Sequence, residues 1–369
     1  MIANKLNPCA KTPISSVSVI ARRLCDEAIS RQQGLHILRE ITSFLAMTFG
    51  IRQQFTTNPF VIEQLSHFAI EQLLPLRHNT RHMYRFSLFI AVLATITFSS
   101  CRDSRIHEHE DWGKKFEARG ITKACFILRD NNHEAVHYYN KKRCLERFSP
   151  ASTFKIFNSL AALESATALD ETLVIKWDSV NRWNADWNRD MNMREAFKVS
   201  NVGYYQELAR RIGPDYMQHY LDTANYGNKS IGGGIDQFWL NDSLQISADE
   251  QVGFLKRLYF AELPMSERSQ RIVKSMMLQE EDSTYRLFYK TGWAKLPAKQ
   301  VLWVVGFVEK IEHMKEHKNS MNKSNQRMYP YFFAQNFEVG VSDTTQNWAK
   351  IRIDIMKDVL TDFGALPKQ

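Results

Sequence analysis

The chain of 369 residues is 44% hydrophobic, with 15 glycines and 10 prolines. That composition sustains a packed core and excludes collagen-like and low-complexity disordered chains. The net charge of +8 gathers at the front, where residues 1–100 hold 10 basic and 5 acidic side chains against 38 and 35 in the remainder; the body therefore has an ordinary mixed surface, and nucleic acid is a poor partner for it.

Residues 1–82 show an apolar pattern of helical period (Ile20, Leu24, Leu35, Leu38, Ile41, Leu45) but no chemical motif. Arg85 then leads into the 13-residue apolar run Phe86–Phe98, followed by Ser99, Ser100 and Cys101. A basic flank, a short apolar core and a small-residue exit in that order predict a secretory signal rather than a membrane span. Met83 stands where such a signal would start. Two readings of residues 1–82 stay open: a stretch not translated in the native protein, with translation from Met83, or a genuine N-terminal extension with Phe86–Phe98 as an internal signal-anchor; residues 83–101 read as the signal and 102–369 as the working domain. Phe98-Ser-Ser-Cys101 resembles a bacterial lipoprotein processing box, with Phe98 where Leu, Val or Ile is usual. Lipidation of Cys101 would attach the domain to a membrane; ordinary cleavage nearby would leave it free in the periplasm or the medium.

From about residue 112 the pattern predicts a β-hairpin, Lys123–Leu128 and Val136–Asn140, joined by the turn-rich Asp130-Asn131-Asn132. After Pro150 the density of Phe154, Ile156, Phe157, Leu160, Ala161, Ala162 and Leu163 predicts a helix buried nearly all round. Helices and loops follow to about Glu280, then strands at Tyr285–Trp293, Val301–Val308 and Tyr331–Phe337, and a closing helix over Trp348–Phe363 with Ile351, Ile355, Val359 and Leu360 inward. Strands at both ends enclosing a helical middle predict an α+β fold: one antiparallel sheet assembled from the chain ends, flanked by helices, with an inserted all-helical lobe and a cleft at the junction. The charged stretch Lys310–Arg327 reads as a long solvated loop, with His313 and His317 as surface residues lacking a third ligand. Cysteines at 9, 25, 101, 125 and 144 form no CxxC pair or zinc-type cluster, so no metal site is expected. Cys125 and Cys144 are the one pair left in the body, and nothing in the sequence brings them to bonding distance.

The chemistry is concentrated at Ser152-Thr153-Phe154-Lys155, at the start of the buried helix. Ser-x-x-Lys alone is common, and an isolated copy is more often a helix cap with an outward lysine; Ser320-Met-Asn-Lys323 in the polar loop is such a decoy. At residue 152 the helical spacing brings the Lys155 amine onto the face of the Ser152 hydroxyl, where a base can turn an alcohol into a nucleophile. Ser200-Asn201-Val202, Tyr226-Gly227-Asn228 and Lys290-Thr291-Gly292 follow in the order used by penicillin-recognising serine enzymes.

Together with Pro150–Lys155 and the segment Gly233–Leu240 (GGIDQFWL), these motifs make residues 112–363 resemble a class D serine β-lactamase. The resemblance implies that Ser152 is acylated by the β-lactam carbonyl and that Lys155 captures CO2 as a carbamate acting as general base, in a pocket walled by Phe154, Val202 and Trp239 with the Trp239 indole N–H holding the carbamate. It also implies that Ser200 relays a proton to the β-lactam nitrogen, that Lys290, Thr291 and Gly292 line the substrate strand, and that the backbone N–H groups of Ser152 and Trp293 form the oxyanion hole. Arg352 would pair with the substrate carboxylate, Trp187 would stand at the cleft rim, and Tyr226 would touch substrate or shape the site. No metal or other cofactor is implied. A transpeptidase or a β-lactam sensor would share most of this machinery; the state of assembly, monomer or homodimer, is left open.

Overall fold

The structure is a computed structural model and describes residues 105–313 and 326–368. The helical pattern before residue 82, the signal segment, Cys101, His317 and the Ser320–Lys323 decoy lie outside the described residues.

In chain order the elements are β1 (Ile106–Glu108), α1 (Gly113–Glu117), β2 (Ala124–Asp130), β3 (Ala135–Tyr139), α2 (Lys141–Cys144), β4 (Arg147–Phe148), a 3-10 turn over Ala151–Phe154, α3 (Lys155–Glu164), β5 (Val174–Ile175), β6 (Met191–Asn192), α4 (Met193–Lys198), α5 (Val202–Ile212), α6 (Pro214–Thr223), β7 (Ile246–Ser247), α7 (Ala248–Tyr259), α8 (Glu267–Met276), β8 (Leu278–Glu281), β9 (Tyr285–Lys295), β10 (Gln300–His313), β11 (Gln326–Val339) and α9 (Trp348–Phe363). The main sheet runs β1-β3-β2-β11-β10-β9-β8. Every pairing in it is antiparallel except β1 with β3, an edge strand absent from the sequence expectation that makes the sheet mixed.

The continuous apolar run of β10 reflects burial on both faces of this central strand. Val301, Trp303, Val305 and Phe307 point into the core shared with the helical lobe, while Leu302, Val304 and Val308 face α1 and α9. Gly306 is fixed by crowding, since a Cβ there would lie 2.1 Å from the Phe288 carbonyl oxygen. The three N-terminal strands, β1–β3, and the four C-terminal ones, β8–β11, form one sheet, and residues 155–276 supply the helical lobe on one of its faces.

The expected loop at Lys310–Arg327 needs correction. Strand pairing continues through Lys310↔Tyr329, Ile311↔Met328, Glu312↔Arg327 and His313↔Gln326, while β9 stops at Lys310 and β2 at Tyr331. This end is a two-stranded ribbon in which Ile311 is buried while Glu312, Arg327 and Met328 are exposed, so it lacks the sustained alternation that identifies a half-buried strand. Cys125 and Cys144 are both free and buried, with the Cys144 thiol directed at the Phe126 and Tyr139 carbonyl oxygens at 3.4 and 3.5 Å. Among the described residues there is no group of three or more His, Cys, Asp or Glu able to hold a metal, and no helix long and apolar enough to cross a membrane.

Candidate active site

Ser152 sits on the 3-10 turn that runs directly into α3. A 3-10 turn has three residues per turn, so side chains three apart eclipse, and the Lys155 Nζ donates to Ser152 Oγ at 2.8 Å. The turn is held on every side. Ala151, at a left-handed φ of 46°, donates its N–H to the Trp239 carbonyl at 3.1 Å, which also accepts from Ser149 Oγ at 2.9 Å. Trp303 Nε1 donates to the Ser149 carbonyl at 2.9 Å, and Thr153 Oγ1 to that of Pro150 at 2.8 Å. Strand β9 lies so close that a Cβ on Gly292 would sit 2.7 Å from the Pro150 oxygen. A left-handed alanine costs about 1–3 kcal/mol and persists only where its surroundings over-determine it.

Lys155 is 1% exposed. Among the described residues no carboxylate offsets its burial, which pulls the amine down from 10.5 to about 7. Its ammonium nitrogen lies 5.3 Å from the centre of the Tyr205 ring. Next to it in the chain, Phe154 stacks on Trp239 at 5.2 Å and meets Phe238 edge-on. Val202 opens α5 and is half-buried.

The second Ser–Lys pair is assembled by tertiary structure. Ser200 occupies the junction of α4 and α5 with φ 57°, and the turn is fixed by Asn201, whose side chain caps α5 through the Tyr204 N–H at 3.1 Å. Lys290 reaches across from β9 and donates to Ser200 Oγ at 3.0 Å and to the Thr291 carbonyl at 3.1 Å. Its amine is pushed well below the usual lysine range by burial, and further by the charges of Lys155 and Arg352. Arg352 comes from α9, donates through Nη1 to the Gly292 carbonyl at 2.7 Å and lies 5.6 Å from the Trp293 ring centre. Burial lowers it to about 10, and its Nε is buried without a partner. The Trp293 indole is engaged by Gln300 Oε1 at 2.8 Å, and Thr291 is half-buried beside Lys290.

Two of the expected site residues are buried. Tyr226, expected to touch substrate or shape the site, is 1% exposed and packs in the core behind Ser152. Its ring packs edge-on against Phe154 and Phe254, its hydroxyl accepts from Gln251 Nε2 at 3.4 Å, and burial raises its pKa. The Tyr-Gly-Asn motif is thus a turn: a Cβ on Gly227 would lie 2.2 Å from the Gln245 oxygen, and Asn228 accepts from the Gln245 N–H at 3.0 Å. Trp187 is largely buried. Its indole N–H donates to the Val199 carbonyl at 2.9 Å and its own carbonyl accepts from Asn201 at 3.3 Å, so it braces the Ser200 turn from behind.

Sequence reasoning missed Gln251, whose Nε2 donates to Thr153 Oγ1 at 3.0 Å behind the nucleophile. The available signal was a polar residue amid the apolar positions Val252, Leu255 and Leu258 of α7. Tyr205, beneath the Lys155 amine, carried no signal beyond its place on the apolar side of α5.

Residues 122–326 match the penicillin-binding protein transpeptidase domain family. Over 263 residues the chain is 38% identical to β-lactamase OXA-48 of Klebsiella pneumoniae, covering 70% of this chain and 90% of that protein. It is 45% identical over 192 residues to a probable β-lactamase, YbxI, of Bacillus subtilis, covering 52% and 71%. Among solved structures, the class D β-lactamase FUS-1 of Fusobacterium nucleatum superposes with a TM-score of 0.62 at 34% identity, over 70% of this chain and 99% of that one. An active-site turn and sheet of this kind, matched at these identities over 71–99% of the length of these relatives, place the chain in a known family: it belongs to the class D serine β-lactamases, enzymes that hydrolyse β-lactams.

Proposed function

We propose that the protein opens β-lactam rings, penicillins foremost, through an acyl-enzyme on Ser152, with Lys155 acting as a carbamate. The observation that carries this reading is the Lys155 amine, buried, without a carboxylate partner and 2.8 Å from Ser152 Oγ. With a pKa of about 7, close to half of it is neutral at pH 7, and only a neutral amine attacks CO2. The buried setting suits such a group: the Tyr205 ring lies 5.3 Å from the amine and Phe154, next in the chain, stacks on Trp239; by the family resemblance Phe154, Val202 and Trp239 would wall the carbamate and the Trp239 indole N–H would hold it. Once formed, the carbamate would supply a general base for both acylation and deacylation.

In acylation the Ser152 proton leaves to the base as Oγ bonds to the β-lactam carbonyl carbon. The backbone N–H groups of Ser152 and Trp293 donate to the developing oxyanion, each such donor being worth about 3 kcal/mol in the transition state. As the C–N bond breaks, Ser200 passes a proton to the ring nitrogen, replenished from Lys290. Arg352 supplies a guanidinium for the substrate carboxylate alongside Thr291 and Lys290. Water then takes the place of the serine and releases the ring-opened acid.

The test is hydrolysis of benzylpenicillin by the purified protein with and without bicarbonate, together with carbon-13 NMR after exposure to labelled bicarbonate. Turnover that rises with bicarbonate and a carbamate resonance lost in K155A are expected. Stoichiometric acylation without turnover would favour a sensor or transpeptidase, and active enzyme without the resonance would remove the carbamate. We further propose that residues 83–101 export the domain, with Cys101 as the attachment point if lipidated; the mass of the N-terminal peptide from the native host checks this.

A further inference from the structure

Cys125 and Cys144 are the only cysteines among the described residues, and both are free and fully buried. They stand on different elements, Cys125 on β2 and Cys144 at the end of α2, and enter the same core beside Ile127, Tyr138 and Phe148. The Cys144 thiol lies 3.4 Å from the carbonyl oxygen of Phe126, the residue after Cys125, and the two cysteine side chains are hydrogen-bonded to each other. As packing, two small apolar side chains of any kind would serve here. Two sulfurs in contact can also give up two electrons and become a bond, and thiols this close need only a small shift to reach the bonding separation of about 2 Å.

The two thiols are not equivalent. Burial raises both, but at Cys125 the hydrogen bond from Cys144 and the charge of Arg143 outweigh it and hold the thiol below its usual range, whereas Cys144 is raised by burial and by Cys125. Thiolate character gathers at Cys125, as an attacking sulfur requires. Arg143 is fixed in place by β11: its Nε donates to Asn336 Oδ1 and its Nη1 to Glu338 Oε1, both at 2.9 Å, and Asn336 is the register partner of Cys125. Access comes through α2. It is a single turn, Lys141–Cys144, running into the exposed Leu145, and an element this short opens more easily than the strand beneath it. Its opening bares Cys144 to water while Cys125 stays in the sheet.

We infer that Cys125 and Cys144 are a disulfide site, closed by exchange with an oxidised dithiol as α2 folds onto β2, and that the bond tethers α2 to the sheet. Cys144, exposed and deprotonated, attacks the donor's disulfide, forming a mixed disulfide and releasing one donor thiol. The Cys125 thiolate then attacks the Cys144 sulfur and expels the second donor thiol. Two electrons and two protons pass from the protein to the donor. The closed loop restricts the unfolded chain and fixes α2, which ends eight residues before Ser152. The site stands independently of the β-lactam reading. In its test, the reduced, unfolded full chain is refolded with and without a mixture of oxidised and reduced glutathione, blocked with N-ethylmaleimide in denaturant and digested with trypsin without reduction. With the donor, peptide 124–129 should appear joined to 144–147, lighter than their sum by two hydrogens, and the protein should melt on the order of 5–10 °C higher than after refolding without it. C144A should show neither the joined peptide nor a difference in melting between the two conditions. Maleimide on both thiols after refolding with the donor, or either cysteine joined instead to Cys9, Cys25 or Cys101, would overturn the site. A joined protein that melts no higher than the reduced one would overturn the tether.

Discussion

The two Ser–Lys pairs of the site have the same atoms at nearly the same separation, 2.8 Å for Lys155 to Ser152 and 3.0 Å for Lys290 to Ser200, yet their surroundings differ. Burial is what lowers the Lys155 pKa to about 7, so its amine is poised near neutrality while it donates to the Ser152 hydroxyl. Lys290 has a second acceptor in the Thr291 carbonyl and two like charges within reach, Lys155 and Arg352. The first amine has the serine as its partner and suits the proposed base. The second is one member of a cationic group drawn from three elements, with Lys155 and Arg352, and suits the proposed anion-holding and proton-passing roles. Identical functional groups take different roles from what else is buried with them.

Replacing each serine should separate the roles most widely. S152A should abolish turnover and covalent labelling outright, because no other group can form the acyl-enzyme. S200A should keep the acylation site and lose about 10²–10³-fold in kcat/KM, the scale of one positioned proton donor; intact-protein mass spectrometry with a β-lactam would still find it labelled. Equal and total loss in both would mean that the second pair belongs to the nucleophile rather than to the leaving group.

The lysines differ next in pH response. Because folding depresses the Lys155 pKa from 10.5 to about 7, the unfolded chain binds more protons than the folded one between those values, and stability rises with pH across that window. Below about pH 7 the full penalty is present, on the order of 5 kcal/mol for a shift of this size. K155M should therefore be more stable than the wild type at pH 6 without bicarbonate, by a few kcal/mol in urea melts, with the advantage fading as pH approaches 10.5. Wild-type kcat/KM should fall about tenfold per pH unit below 7. A flat rate profile from pH 5 to 8 would remove Lys155 as the titrating base.

Between the pairs stands Gly292, where β9 touches the Pro150 carbonyl. G292A forces a shift of the turn or the strand and should cost about 1–3 kcal/mol of stability. It should also lower kcat/KM with both amines intact, since the nucleophile moves relative to Trp293. An active G292A of unchanged melting temperature would mean that the strand yields easily.

What the sequence made legible follows the same division. Ser152 and Lys155 are three residues apart, so local helical geometry sufficed to pair them. Ser200 and Lys290 are ninety residues apart in sequence, and only family order, not spacing, joined them. The closing helix was readable because Ile355, Val359 and Leu360 form one apolar stripe, whereas β1, three exposed residues, had no pattern to read. Gln251 was invisible as a support of Thr153 because its hydrogen bond spans 98 residues, and the motif alone left two readings of Tyr226 because a motif name does not say which way a ring faces.

Tyr226 provides the smallest expected effect. Its hydroxyl is contacted by Gln251 Nε2 at 3.4 Å, but that same nitrogen has the shorter bond to Thr153 Oγ1 at 3.0 Å. Y226F therefore leaves Gln251 with its better acceptor and keeps the ring contacts with Phe154, Phe157 and Phe254. The cost should stay below about 1 kcal/mol, and kcat should remain within about threefold. Y226A removes the whole ring from the core behind Phe154 and should cost about 3–5 kcal/mol, with activity falling because the turn bearing Ser152 loses its backing. A folded Y226F with wild-type stability and a hundredfold lower kcat would contradict the core placement and return the phenol to the chemistry.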